Sequence, residues 1–127
     1  MPDLSLQVCR CALAFIWIYQ GIVPKWLGPH ADELALNMAA GATPAQAVWI
    51  ARAGGTLEVL FGLLLFMAWR QPWVFALSAL GIAFLHAVVM LLQPQLALAA
   101  FNPVIINVAI MALSLVGWQE AHARRRR

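Results

Sequence analysis

Residues 73–92 read WVFALSALGIAFLHAVVMLL, a stretch without aspartate, glutamate, lysine or arginine. A helix rises about 1.5 Å per residue, so about 20 such residues cross a hydrocarbon core of about 30 Å. Three more apolar stretches accompany it, at about 4–23, 47–68 and 103–118. The fold expected is therefore all-α. It is an integral membrane bundle of four antiparallel transmembrane helices, forming a single transmembrane domain over residues 1–127.

Composition leads to the same place. Of the 127 residues, 64% are hydrophobic and only 10% charged. Soluble domains carry about 45–50% apolar and about 25% charged residues. A chain this short has a large surface for its volume, and water does not tolerate so little polarity there. The first stretch is too long for a signal peptide, contains Arg10 and is followed by no small-residue cleavage site, so it is expected to remain as a span.

The connectors carry their own signals. Pro24-Lys25-Trp26-Leu27-Gly28-Pro29 stops the first helix, because proline and glycine break helical continuity. A short interfacial helix is expected at about 30–41. Thr43-Pro44 and Asn102-Pro103 each place a capping side chain before a proline at the first helical position. Arg70-Gln71-Pro72 is a tight turn that sets its two helices antiparallel.

The net charge is +3, and the terminal run Arg124 to Arg127 holds four of the eight basic residues. With Arg70 it lies on one side of a four-span chain, and the positive-inside rule makes that side, with both termini, cytoplasmic. The run also suits anionic headgroups. Trp26, Trp69, Trp73 and Trp118 fall near span ends, where amphipathic rings concentrate. No basic stripe with interleaved aromatics exists, so nucleic acid is not an expected partner.

Charged and polar residues inside spans are the candidates for function, since each charged one costs about 2.5–3.5 kcal/mol at the bilayer centre and needs a partner. Axial depth places Arg10 about 5 Å from the middle of its helix and Glu58 near the middle of the next. An Arg10–Glu58 pair inside the bundle is expected, with Gly54, Glu58 and Gly62 forming one close-packing stripe against Arg10, Ala14, Trp17 and Gly21. The pair reads either as a lock on helix packing or as a proton- or substrate-binding carboxylate beside its counter-charge. Tyr19, Gln20, Arg52, His86 and Asn107 fall about 5–10 Å toward the other leaflet. They form either a shallow polar cavity suited to a quinone headgroup, or a plain hydrogen bond from His86 to Asn107 with Arg52 snorkelling to the interface.

Other chemistry is weakly supported. Cys9 and Cys11 are two apart, point to different sides of a helix and complete no metal site of usual spacing. The chain has no glycine-rich phosphate loop, nucleophile elbow or paired carboxylates. One transmembrane histidine does not supply bis-histidine haem ligation.

Three segments carry a family resemblance. They are the run from Arg10 to Lys25, with Tyr19-Gln20-Gly21 and Pro24-Lys25 at its end, then Gly54 to Leu65 around Glu58, and Phe101-Asn102-Pro103 to Asn107. Together they resemble the DoxX-like family of small bacterial membrane proteins. The resemblance implies a four-helix membrane fold and singles out Arg10, Lys25, Glu58, Asn102 and Asn107. It implies an accessory role near quinone-linked sulfur oxidation or thiol redox chemistry, or a module fused to dehydrogenase-like domains, and it transfers no catalytic constellation.

The function expected is that of a multi-pass inner-membrane accessory protein linked to quinone or thiol redox chemistry, with a quinone as the candidate cofactor. Its expected partners are membrane lipid and a redox protein or subunit, with a homo-oligomer through a small-residue face as an open option. A small proton-coupled carrier or channel subunit, and an anchor for a soluble partner, are the alternatives.

Overall fold

The computed structural model describes residues 4–127; the first three residues of the 1–127 domain lie outside the described residues. The elements are α1 (Leu4–Ile22), α2 (Ala31–Ala39), α3 (Pro44–Met67), α4 (Pro72–Leu92), a 3₁₀ turn (Pro94–Leu98) and α5 (Pro103–Arg125). Four of them, α1, α3, α4 and α5, are long and apolar enough to cross a membrane, and no strand occurs among the described residues. Large apolar side chains such as Phe15, Leu57, Leu80, Phe84 and Val108 stand exposed around the bundle. In water this would be one continuous apolar surface; in lipid it is the ordinary outside of a multi-pass membrane protein.

Helix starts follow the local chemistry. Thr43 Oγ1 accepts from the Gln46 amide at 3.2 Å while Gln46 Oε1 accepts from the Thr43 amide at 3.0 Å, a reciprocal cap ahead of Pro44. Asn102 Oδ1 accepts from the Ile105 amide at 3.1 Å ahead of Pro103. His30 Nδ1 takes the Asp32 amide and starts α2, which ends at Ala39; two residues on, Gly41 has a φ of 103°, a left-handed value glycine adopts freely. The last helix runs on to Arg125, beyond the expected stop near Trp118, because residues 119–125 contain no proline or glycine to break it.

α1 is the hub of the bundle, packed on α3 and α5, while α4 packs on α5 and meets α3 only slightly despite the short turn between them. The α1–α3 crossing is close because glycines face each other: a Cβ on Gly21 would sit 2.5 Å from the Gly55 carbonyl oxygen, and one on Gly62 would sit 3.0 Å from the Ala14 oxygen. The expected stripe through Gly54 is thereby corrected. Gly54 has nothing within 4 Å, and the packed face is Ala51, Gly55, Glu58, Gly62 and Leu65. A strict four-residue step overshoots a helical turn by about 40°, whereas alternating steps of four and three hold one face. In the α4–α5 contact the Phe75 ring lies directly over Gly117.

The two ends of the bundle differ. At one, the start of α1, the turn after α3 and the end of α5 meet, and the Arg125 guanidinium donates to Gln71 Oε1. At the other, α2 lies on α3 and also touches α4. Asn37 Nδ2 ties α2 down by donating to the Ala47 carbonyl at 3.0 Å.

Candidate functional site

The register of α1 against α3 decides which charges can meet. Gly21 lies level with Gly55 and Ala14 with Gly62, so Arg10 comes level with Phe66 and Glu58 with Ile18. The expected Arg10–Glu58 pair is therefore wrong by about eight residues, or about 12 Å along the axis. Arg10 instead donates from Nε to the Phe66 carbonyl at 2.8 Å and from Nη1 to Gln7 Oε1 at 3.0 Å, with its guanidinium 3.9 Å from the centre of the Phe66 ring.

The partner of Glu58 is Lys25. The chain turns back after Ile22, with the Trp26 amide bonded to the Ile22 carbonyl, and Trp26 Nε1 donates to Thr56 Oγ1 at 3.1 Å. That fold-back brings Lys25 Nζ to 2.6 Å from Glu58 Oε1, with both side chains largely buried. The second carboxylate oxygen, Glu58 Oε2, is buried without a hydrogen-bond partner among the described residues. A buried acceptor left open costs about 1–3 kcal/mol, more when charged, so this oxygen has an unmet demand for a donor.

A cavity of about 360 Å³ lies beside this pair. Its walls include Ile16, Trp17, Ile82, Leu85 and Ile110 from three helices, with Gln20 and Asn107 as polar points and α2 across the mouth. Glu33, on α2 outside the spans, lines the same space. Burial pushes its carboxyl above the ordinary range; Lys25 pulls it back, Glu58 pushes it further up, and His30 and Asp32 act in opposite, smaller ways.

A second space of about 400 Å³ is a groove between α4 and α5 on the outside of the bundle, lined by Ile82, Ala83, His86, Asn107, Val108 and Met111 among others. His86 Nδ1 and Asn107 Nδ2 are 2.9 Å apart in it. Ile82 and Asn107 line both spaces, so the groove and the cavity share a wall.

The model of the DoxX-like family matches residues 14–115. The chain belongs to that family. No curated protein and no solved structure matches it.

In this DoxX-like protein the remaining candidate residues separate by role. Tyr19 is about half exposed on the lipid side, beside Phe15, and lines neither space. Asn102 is a helix cap. Arg52 lies in the N-terminal half of α3, its guanidinium 5.5 Å from the Trp26 ring and 5.8 Å from Trp49, with Nε buried and unpartnered among the described residues. The single polar cavity expected from Tyr19, Gln20, Arg52, His86 and Asn107 is thus divided. Gln20 and Asn107 face the central space, His86 faces the groove, and the plain His86–Asn107 hydrogen bond is present.

Two features escape a reading of the sequence. Glu33 looks like a solvated residue of a surface helix until α2 is folded over the cavity. A buried chain also runs from Trp17 Nε1 to Ser78 Oγ at 2.9 Å and from there to Ser114 Oγ at 2.8 Å, across helices α1, α4 and α5. Serine is common in apolar spans, where it usually bonds its own backbone, as Ser114 also does with the Ile110 carbonyl. Cys9 is buried and Cys11 exposed on opposite sides of α1, so these two thiols do not form an internal redox pair.

Chemically, the cavity offers an ammonium donor, an unpaired carboxylate oxygen, the Glu33 carboxyl and two side-chain amides within largely apolar walls. Such a combination holds the polar head of an amphipathic molecule and excludes water around it.

Proposed function

We propose that this DoxX-like protein is an inner-membrane accessory protein that binds a lipid-soluble quinone-type molecule and works with a redox partner that supplies or accepts the electrons. In this reading residues 1–127 act as one transmembrane domain with the arginine-bearing end in the cytoplasm, as the positive-inside rule requires. The observation that carries the reading is the open Glu58 Oε2 beside a largely apolar cavity. Lys25 would donate to a carbonyl of the oxidised headgroup, and Glu58 Oε2 would accept from a hydroxyl of the reduced one. Asn107 stands between the cavity and the lipid-facing groove, so a molecule dissolved in the bilayer would arrive sideways, with its tail left between α4 and α5.

The test is mass spectrometry of molecules that co-purify with the protein in mild detergent, comparing wild type with Glu58→Gln. A quinone retained by the wild type and lost from the variant supports the reading. Phospholipid alone in both samples overturns it.

A second reading is favoured by the meeting of Glu33, Glu58 and Lys25 at one cavity. Two carboxylates lining one cavity beside an ammonium would give a small proton-coupled carrier two stations for a proton. Proton flux into liposomes that disappears in Glu58→Gln would support it, and flux unchanged by that substitution would remove it.

A further inference from the structure

The polar groups around the central cavity are richer in open acceptors than in open donors. Two of its wall residues spend N–H groups elsewhere: the Trp17 indole donates to Ser78 Oγ at 2.9 Å, and Asn107 Nδ2 donates to His86 Nδ1 at 2.9 Å. Trp17 has no other N–H in its side chain, and Asn107 keeps one N–H against two acceptor sites on Oδ1. Gln20 carries both kinds of group and favours neither. Glu58 Oε2, buried and without a hydrogen-bond partner among the described residues, adds a charged acceptor. Resting on the reading of this cavity as a site for a quinone-type molecule, we propose that it selects the reduced, dihydroxy form of the headgroup over the oxidised, dicarbonyl form.

The Lys25–Glu58 pair discriminates between the two forms. Lys25 Nζ lies 2.6 Å from Glu58 Oε1, so an ammonium with N–H groups to spare stands beside a carboxylate oxygen that has nothing to accept. A hydroxyl group serves both, accepting from Lys25 through its oxygen while its O–H points at Glu58 Oε2. A carbonyl serves Lys25 alone. It has no hydrogen to donate, and its lone pairs are set beside a negatively charged oxygen that stays unpaired. The two side chains are only 13% and 11% exposed, so bulk water does little to soften that contrast. The second hydroxyl of the head meets the Asn107 amide oxygen or the Glu33 carboxyl, which accepts through an oxygen in either protonation state.

Ring, substituents and tail are the same in both forms, so the apolar walls formed by Ile82, Leu85 and Ile110 do not tell them apart. The preference belongs to hydrogen-bond donation alone. It also changes the bound couple. Tighter binding of the reduced form raises the midpoint potential above that of the free couple, by about 30 mV for each tenfold of preference in a two-electron couple.

The experiment measures equilibrium binding of three probes to the full chain in mild detergent, with binding to protein-free micelles subtracted. The probes are a benzoquinone with a short isoprenoid tail, its quinol kept reduced under argon, and the dimethyl ether of that quinol, which accepts hydrogen bonds but donates none. The quinol should bind at least about tenfold more tightly than either of the others, the difference expected for one hydrogen bond to a charged group. Glu58→Gln sets an N–H donor where the acceptor stood, so the quinol and quinone affinities should come within about twofold of each other. Quinone or ether bound as tightly as quinol overturns the preference and leaves the quinone-type reading standing. Binding of none of the three overturns that reading, and the preference with it. A ratio unchanged in folded Glu58→Gln overturns the assignment to Glu58. Where that variant does not fold, the wild-type ratio and the ether decide the matter without it.

Discussion

Lys25 Nζ meets Glu58 Oε1 at 2.6 Å and leaves Glu58 Oε2 open, so one buried ion pair fixes the turn after α1 to α3 and also presents an acceptor to the cavity. A pair of this kind is poor evidence of stabilisation by itself, because desolvating both charges offsets much of their attraction. Its persistence in an apolar bundle is explained better by specificity of packing or by use of the open oxygen. The two roles can be separated by mutation.

Lys25→Met leaves a buried carboxylate without its counter-charge and should destabilise the fold by about 3–5 kcal/mol. The double substitution Lys25→Met/Glu58→Leu removes both charges and should recover most of that loss. Unfolding in mild detergent measures both. A double variant that is stable and still retains whatever the wild type retains would leave the pair a purely structural role. A double variant no more stable than Lys25→Met would show that the pair is coupled to a third group.

How much of this could be read from the sequence follows from which forces act locally. The four spans were legible because lipid forces every backbone group to pair within its own helix and so imposes length and apolarity on the chain itself. The Thr43 and Asn102 starts were legible because a cap involves residues three apart. The partner of Glu58 was not, because it depends on the axial offset of α1 against α3. Glycine contacts between Gly21 and Gly55 set that offset, and no local pattern records it. Lys25 also sits in a segment read as an external connector, and only its fold-back through Trp26 and Thr56 turns it inward. The serine relay to Trp17 was hidden for a similar reason: Ser78 and Ser114 are 36 residues apart and meet only when α4 and α5 pack.

The glycine contacts make a sharp contrast between adjacent positions. At Gly55 an added methyl would collide with the Gly21 carbonyl and come within 2.9 Å of Lys25 Cβ. Gly55→Ala should therefore cost about 1–3 kcal/mol by overpacking, and it should also disturb the Lys25–Glu58 pair. At Gly54 the space is open, so Gly54→Ala should be neutral or stabilise by up to about 1 kcal/mol through helix propensity. Thermal unfolding of the two variants side by side decides whether α1 and α3 approach in this register; the reverse order, with Gly54→Ala costly and Gly55→Ala tolerated, would favour the strict four-residue stripe instead.

Ser78→Ala removes the acceptor for the Trp17 indole N–H and the partner of Ser114 in one step. Hydrogen bonds between helices in membranes average about 0.6 kcal/mol, with a maximum of about 1.7, so a loss of about 1 kcal/mol is expected. Ser114→Ala should cost less, since Trp17 keeps its acceptor. A double-mutant cycle between Trp17→Phe and Ser78→Ala reads the coupling directly. Coupling indistinguishable from zero would mean that the indole is held by its packing on Phe61, whose ring centre is 5.1 Å away, and not by the hydroxyl.

Glu33 gives the protein a dependence on pH. Its carboxyl is raised in the folded protein, chiefly by burial at the cavity mouth, with Lys25 opposing and Glu58 reinforcing the shift. Between the ordinary carboxyl range and the raised value, the folded state binds a proton that the unfolded state has released. Stability must then fall as pH rises through that window and level off above it. Glu33→Gln keeps the size and removes the titration, so it should raise the unfolding temperature at neutral pH and flatten the profile across the weakly acidic range. Melting curves in detergent from acid to neutral pH, for wild type and the variant, carry the test. Parallel profiles for the two proteins would place Glu33 in water, with α2 swung off the cavity; profiles that converge only at acid pH would place its carboxyl over the Lys25–Glu58 pair.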